Sequence, residues 1–436
     1  MGHDDVVFVL LLVGSVVGSA LLRLCPTRWR ADVAATAGVL AILGACGPNA
    51  IHPLTGVLLS AAARCLVPHR WRAGASFALA FGHLTVLRLL PVSPGGPTNA
   101  AMLLLTLRLS TAEAESTLEL VRYACCYHGL FTGPYVSHAE WHASMRTPRP
   151  LPSVRSLIRA LLAALAALAV WRVVASSLPY QLVSAVDVDA WDTWVPRGVP
   201  SVLRGVAGFM SRLFYFHASS YQFRWRFYAC WLVMEFSGLL VGLAQPANVD
   251  VGACELATSP SQLIGGWNTS VHVWLKQHVY RGLPPRASRV VRQLATFAVS
   301  TFWHGLRPGY FLCFAGLFFM VSVEQLVRAA WATRVGDARA PSTSVAVRLA
   351  CHLWTMGCLT FYGGAFNLLG GGEILALWRS LRFYGIWLTA LPALPAAMRL
   401  AWVRTQPRAG ALRIQSKTPR RSPRSRSPSR HRKVLE

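Results

Sequence analysis

Two side chains in this 436-residue sequence, His304 and Asn268, combine a reactive type with surroundings that suit chemistry. Neutral histidine is the commonest general base near physiological pH and can take a proton from a hydroxyl nucleophile. A carboxamide can donate to a developing oxyanion or hold an acceptor in place. No nucleophile elbow with a Ser-His-Asp series accompanies them, so a covalent acyl-enzyme is not suggested. The chemistry such a pair would run is direct transfer. The imidazole activates an acceptor hydroxyl, which attacks an activated acyl group. Asn268 positions the acceptor or stabilises the tetrahedral intermediate.

Both residues stand in sequence that otherwise reads as membrane. His304 ends the apolar run Leu294–Trp303, and Gly305, Pro308 and Gly309 follow it. Those residues end or bend a helix. Irregular backbone at membrane depth survives only where protein or a water-filled cavity covers it, so His304 is expected to face a cavity. A polar group in a span costs about 1–3 kcal/mol unless satisfied, and an ionisable one there is a functional candidate by default. The plainer alternative is a membrane histidine that only bonds a neighbouring helix. Asn268-Thr269-Ser270 also matches a glycosylation sequon. Trp267, Val271, Trp274 and Leu275, however, recur at i, i+4, i+7 and i+8 and form one apolar helical face, which points to burial rather than a surface loop.

The elements that must position this pair are helices in a bilayer. The chain is 54% hydrophobic and 14% charged, against about 25% charged residues in a soluble domain. Apolar runs fall at roughly 6–24, 33–47, 52–66, 73–90, 99–109, 157–175, 200–217, 227–244, 288–303, 310–329, 346–368 and 374–400, with a weaker one at 118–133. The fold class is all-α: a polytopic transmembrane helical bundle enclosing a catalytic chamber. Several runs are short for a crossing of about 20 residues and are expected to be tilted, re-entrant or buried in the bundle.

Asp4 and Asp5 precede the first run, whereas Arg23, Arg28 and Arg30 follow it. That bias makes it a retained span with the N-terminus away from the cytosol. With the basic end on the cytosolic side, the number of crossings is odd, and about eleven are expected. No long polar stretch could fold alone, so residues 1–403 read as one membrane domain and 404–436 as a disordered basic cytosolic tail. That tail holds eleven Lys/Arg and one Glu of a chain with net charge +26. Its Ser/Pro/Arg composition has nothing apolar to bury, and its expected partner is anionic lipid rather than nucleic acid. The ten cysteines are scattered without a Cys-x-x-Cys pair, so neither a disulfide framework nor a metal site is indicated.

Trp267-Asn268-Thr269-Ser270, Trp274-Leu275 and Val279-Tyr280, followed by Phe302-Trp303-His304-Gly305 and Pro308-Gly309-Tyr310, resemble the signature of the membrane-bound O-acyltransferase family. The resemblance implies that Asn268 and His304 are the catalytic pair. Cys46-Gly47-Pro48, Thr98-Asn99-Ala100 with Leu103–Leu109, and Tyr123 with Tyr127–Tyr135 are similar to its lysophosphatidylinositol acyltransferase branch. Arg226–Trp231 with Glu235, and Asn248-Val249-Asp250, resemble lysophospholipid acyltransferases generally. The likeness covers residues from about 40 to about 390. It departs in a shorter stretch between Glu235 and Asn248, in a compressed connection after Glu115, and in the basic tail.

What the resemblance implies is a multi-pass enzyme of the endoplasmic reticulum that uses acyl-CoA as co-substrate, without a bound cofactor. The implied acceptor is a lysophospholipid, with lysophosphatidylinositol first. Another lysophospholipid, a sterol, diacylglycerol or a protein stand as alternatives. A transporter would show paired repeats with interrupted helices, and no such repeat is found in the sequence.

These substrates set further expectations. Lys276 and Arg281, with Arg286, Arg289 and Arg292, are candidates for the donor's phosphates, unless they serve only topology. Arg226 is a candidate for substrate contact or for an ion pair to another helix. Tyr127 and Thr132, with His128 and Tyr135, offer groups to a hydroxyl-rich head group, or merely bend and pack a span. Trp267, Trp274 and Trp303, with Phe302, are expected to line an acyl tunnel or to pack.

Overall fold

The computed structural model describes residues 3–90, 95–180, 201–335 and 344–405. Among them all regular structure is helical. The first half comprises α1 (His3–Leu24), α2 (Thr27–Cys46), α3 (Ile51–Leu66), α4 (His69–Leu89), α5 (Gly96–Ser110), α6 (Thr117–Ala124), α7 (His138–Arg146) and α8 (Val154–Ser177). Then follow the long α9 (Ser201–Val241), the short α10 (Val251–Glu255), α11 (Pro260–Gly266) and α12 (Thr269–Trp274), and α13 (Arg289–His304). The chain ends with α14 (Pro308–Val335), α15 (Val345–Leu368), α16 (Gly371–Ser380), α17 (Tyr384–Ala390) and α18 (Ala393–Thr405).

Five helical stretches among the described residues are long and apolar enough to cross a bilayer: Asp4–Leu24, Thr27–Leu66, Val154–Ser177, Pro308–Thr333 and Tyr384–Val403. The expected count of about eleven spans is not confirmed, and particular runs behave differently from expectation. The runs at 200–217 and 227–244 are one helix, because nothing between them breaks it. Ser219 and Ser220 donate back to the carbonyls of Phe216 and His217, and Arg224 finds a carboxylate outside the helix. The run at 374–400 is instead cut into α16, α17 and α18. The weaker run at 118–133 is helical only to Ala124. The segment from 406 onward, and with it nearly all of the expected basic tail, lies outside the described residues.

Helices α1 and α9 run side by side in the same direction. Asp5 pairs with Arg226 at 2.9 Å, and further along Ser237 Oγ donates to the Ser15 carbonyl and meets Ser19 Oγ at 2.8 Å. An N-terminal core gathers Ala35, Ile42, Val57, Leu105, Leu109 and Leu130 from α2, α3, α5 and the segment after α6. A C-terminal core gathers Phe216, Cys313, Met320, Phe361, Tyr362 and Trp378. Between them Leu84, Leu87, Met102, Val271, Trp274 and Trp303 form a third core that joins α4 and α5 to α12 and α13. This middle cluster sets the site, since Trp303 precedes His304 and α12 begins directly after Asn268.

The irregular backbone after α6 is buried, and a buried peptide group needs a partner. Arg108 supplies it. Its guanidinium, 1% exposed, donates to the carbonyls of Ala124 at 3.1 Å and Cys126 at 2.7 Å, and also to that of His128.

Candidate active site

Asn268 stands at the N-cap of α12 in the left-handed region, φ 45°, ψ 55°, a conformation that asparagine tolerates better than most residues. Its side chain does not cap the helix. It is held instead by Asn248, a fully buried residue in the connection between α9 and α10. Asn248 Nδ2 donates to Asn268 Oδ1 at 3.0 Å, Asn248 Oδ1 accepts from the Ser270 N–H at 3.0 Å, and the Asn248 carbonyl accepts from the Thr269 N–H at 2.9 Å. Ser270 Oγ in turn accepts from the Tyr135 N–H at 2.9 Å, which draws the irregular segment 132–135 onto α12. The sequon is thus built into packed backbone, as the apolar face of 267–275 predicts.

His304 is the last residue of α13. The helix stops there because Gly305 takes φ 153°, ψ −179°, a region essentially closed to residues with a Cβ. A Cβ at Gly305 would stand 2.7 Å from the Tyr310 ring. Pro308 then opens α14, so the helix break expected from Gly305 and Pro308 is where the structure has it. Arg88 anchors this end from α4, donating to the Trp303 carbonyl at 2.9 Å and to Asn99 Oδ1 of α5. The imidazole is half-buried among Tyr310, Phe314 and Phe366, with centroids 5.8, 5.1 and 5.0 Å away. Neither ring nitrogen has a hydrogen-bond partner among the described residues, so both remain available to a ligand.

No hydrogen bond joins Asn268 to His304 among the described residues; a wall of rings does. Trp267 meets Phe227 at 5.8 Å, Phe227 meets Phe223 at 4.9 Å, Phe223 meets Phe366 at 5.5 Å, and Phe366 meets His304. Every ring in this series is half-buried. Behind them Val271, Trp274 and Trp303 share the middle core. The two motifs are therefore joined by one series of ring contacts, with the His304 imidazole nitrogens and the Asn268 Nδ2 without hydrogen-bond partners among the described residues at its two ends.

The residues expected at the substrates divide. Trp267 belongs to the wall, stacked edge-on against Trp231 at 5.0 Å. Trp274 and Trp303 are buried, and their indole N–H groups donate to Thr111 Oγ1 and the Leu103 carbonyl, so they pack the core. Thr132 lies at the Asn268 end, its carbonyl taking the Trp231 N–H at 3.0 Å. Tyr127 is buried between α1 and α9 with its hydroxyl 3.0 Å from Ser19, and serves packing there. Arg226 is occupied by Asp5. Lys276 and Arg281 are exposed beside α12, on and just after a π-helical turn, Leu275–Tyr280. Arg292 instead staples its own loop, donating to the carbonyls of Tyr280, Pro284 and Ala287.

Comparison with known proteins bears on this arrangement. The family model described as membrane-bound O-acyltransferase matches residues 65–363, which takes in Asn248, Asn268 and His304. The chain belongs to that family. It is thus an integral membrane protein. It is 25% identical to the bovine and human proteins named membrane-bound acylglycerophosphatidylinositol O-acyltransferase MBOAT7, over 86% and 90% of this chain and 89% and 93% of theirs. It is also 26% identical to Lysophospholipid acyltransferase 2 of Arabidopsis thaliana, over 63% of this chain and 60% of that one.

Within this O-acyltransferase the sequence reading missed three kinds of residue. Asn248 stands in the Asn248-Val249-Asp250 motif, but its role cannot be read there because its partner lies twenty positions away. Arg88 carries a signal that went unused: it is an ionisable residue inside an apolar run. Phe223, Phe227 and Phe366 carry none, since aromatic residues pack any bundle.

Proposed function

We propose that this O-acyltransferase moves a fatty acyl chain from acyl-CoA to the free hydroxyl of a lysophospholipid, with lysophosphatidylinositol as the acceptor, in the membrane of the endoplasmic reticulum. The observation that carries the reading is the half-buried His304 ring with both nitrogens free, set on the same aromatic wall as Asn268. A ring nitrogen of His304 takes the hydroxyl proton as the oxygen attacks the thioester carbonyl. The C–O bond forms, the carbonyl oxygen becomes an oxyanion, and Asn268 donates to it. Collapse breaks the C–S bond, and the proton passes from His304 to the departing CoA sulfur. No external oxidant or metal is required by this balance.

The inositol assignment is supported by the names of relatives that span nearly the whole chain. The half-buried rings from Trp267 to Phe366 suit an acyl chain, and the exposed Lys276 and Arg281 suit the donor's phosphates. The test is mass spectrometry of products formed by purified protein from mixed lysophospholipids and mixed acyl-CoAs. Diacyl phosphatidylinositol should dominate. Equal use of the choline and inositol forms would remove the inositol assignment, and no diacyl product at all would remove acyl transfer.

A further inference from the structure

A single backbone N–H settles the orientation of two side-chain amides. The Ser270 N–H can only donate, and it donates to one end of the Asn248 carboxamide at 3.0 Å. That end is therefore Oδ1, and the opposite end is the donor Nδ2. Nδ2 points at Asn268, 3.0 Å away, so the Asn268 atom it meets is the acceptor oxygen. What remains of Asn268, a half-buried residue, is its Nδ2, with two N–H donors and no partner among the described residues. Asn248 itself is fully buried. No water competes for its amide, and its carbonyl is also tied to α12 through the Thr269 N–H.

We propose that Asn248 is a positioning residue that turns the Asn268 carboxamide so that it presents N–H donors, and never its oxygen, to the reacting centre. This rests on the acyl-transfer reading and sharpens it: Asn268 acts as a donor, which suits a developing oxyanion and rules out its holding the acceptor through its own oxygen. With Asn248 gone, Asn268 can rotate to expose its oxygen, which repels an oxyanion.

Two variants test it. N248L keeps an apolar bulk but holds neither amide. N248D can still accept from Ser270, and it donates to Asn268 only while its carboxyl is protonated. Turnover of lysophosphatidylinositol is measured relative to wild type from about pH 5 to about pH 9. The expected result for N248L is a loss in kcat of about tenfold or more at every pH, with KM for acyl-CoA held within about twofold. Full burial of position 248 raises the carboxyl's pKa toward this range. N248D should therefore keep most activity at the acid end, fall to the N248L level as its carboxyl ionises, and recover when returned to acid. A merely structural role would not confer that reversible pH dependence. The proposal is overturned if kcat of N248L stays within about twofold of wild type, or if the N248D ratio is flat with pH. Should N248L not be monodisperse in detergent, the N248D curve decides alone. Absence of turnover in the wild type defeats the acyl-transfer reading, and this inference with it. A normal wild type with unaffected variants defeats only the inference.

Discussion

At the scale of the residue, the proposed chemistry depends on two side chains with polar atoms still open among the described residues: the His304 ring nitrogens and the Asn268 Nδ2, the Asn268 Oδ1 being held by Asn248. His304→Ala should lower kcat by about 10²–10⁴-fold, the usual contribution of a positioned general base. The purified variant should elute from size exclusion as the wild type does, because the imidazole makes ring contacts but no hydrogen bond among the described residues. Wild-type turnover from this variant would end the mechanism. Asn268→Asp is the sharper probe, since it keeps the size, the acceptor toward Asn248 and a tolerated left-handed backbone, but loses the N–H donors. A kcat loss of about 10²–10³-fold at unchanged KM is expected, as for removal of one oxyanion donor. His304 and Asn268 stand out in the sequence because polar groups in apolar surroundings need a reason. Their hydrogen-bond states were not. Whether an amide faces a substrate or a neighbour depends on what stands beside it, and Asn248 arrives from a different connection.

At the scale of the element, the helix break after His304 and the anchoring of α10 to α9 carry the strain and the cost. Gly305→Ala forces a Cβ into the Tyr310 ring and a backbone region closed to alanine. Displacement of His304 by an ångström or so should cost about a hundredfold in kcat, measured with saturating acyl-CoA. Glu255 holds the buried Arg224 through both oxygens, at 2.8 and 3.1 Å, and also accepts from Tyr228. Glu255→Gln leaves Arg224 without its counter-charge. It should destabilise the fold by about 3–5 kcal/mol, read as a lower melting temperature in detergent. The break at Gly305 could be read directly, because Gly and Pro act locally. The continuity of α9 could not. Ser219, Ser220, Gln222 and Arg224 look like a polar loop between two spans until the helix's own carbonyls, the Tyr180 N–H and Glu255 are seen to satisfy them.

At the scale of the whole molecule, the O-acyltransferase stands as cores of packed helices with a series of aromatic rings, and its choice of acceptor is a property of the intact enzyme. In competition between lysophosphatidylinositol and lysophosphatidylcholine, product should form from the inositol lipid at least about tenfold faster, a difference of about 1.4 kcal/mol in transition-state binding. The sequence by itself determined the class: apolar runs and sparse charge give a helical membrane protein, and its motifs resemble those of the O-acyltransferase family. Burial of a hydrophobic helix face and the stopping power of Gly and Pro are local effects, so they can be read residue by residue. Only the tertiary structure decided that Trp274, Trp303 and Tyr127 pack, that Arg226 is taken by Asp5, and that Trp267 and His304 lie on one wall. Those outcomes turn on which side chains meet across helices distant in the chain, and an aromatic ring or a guanidinium does not reveal its partner until the partner is in place.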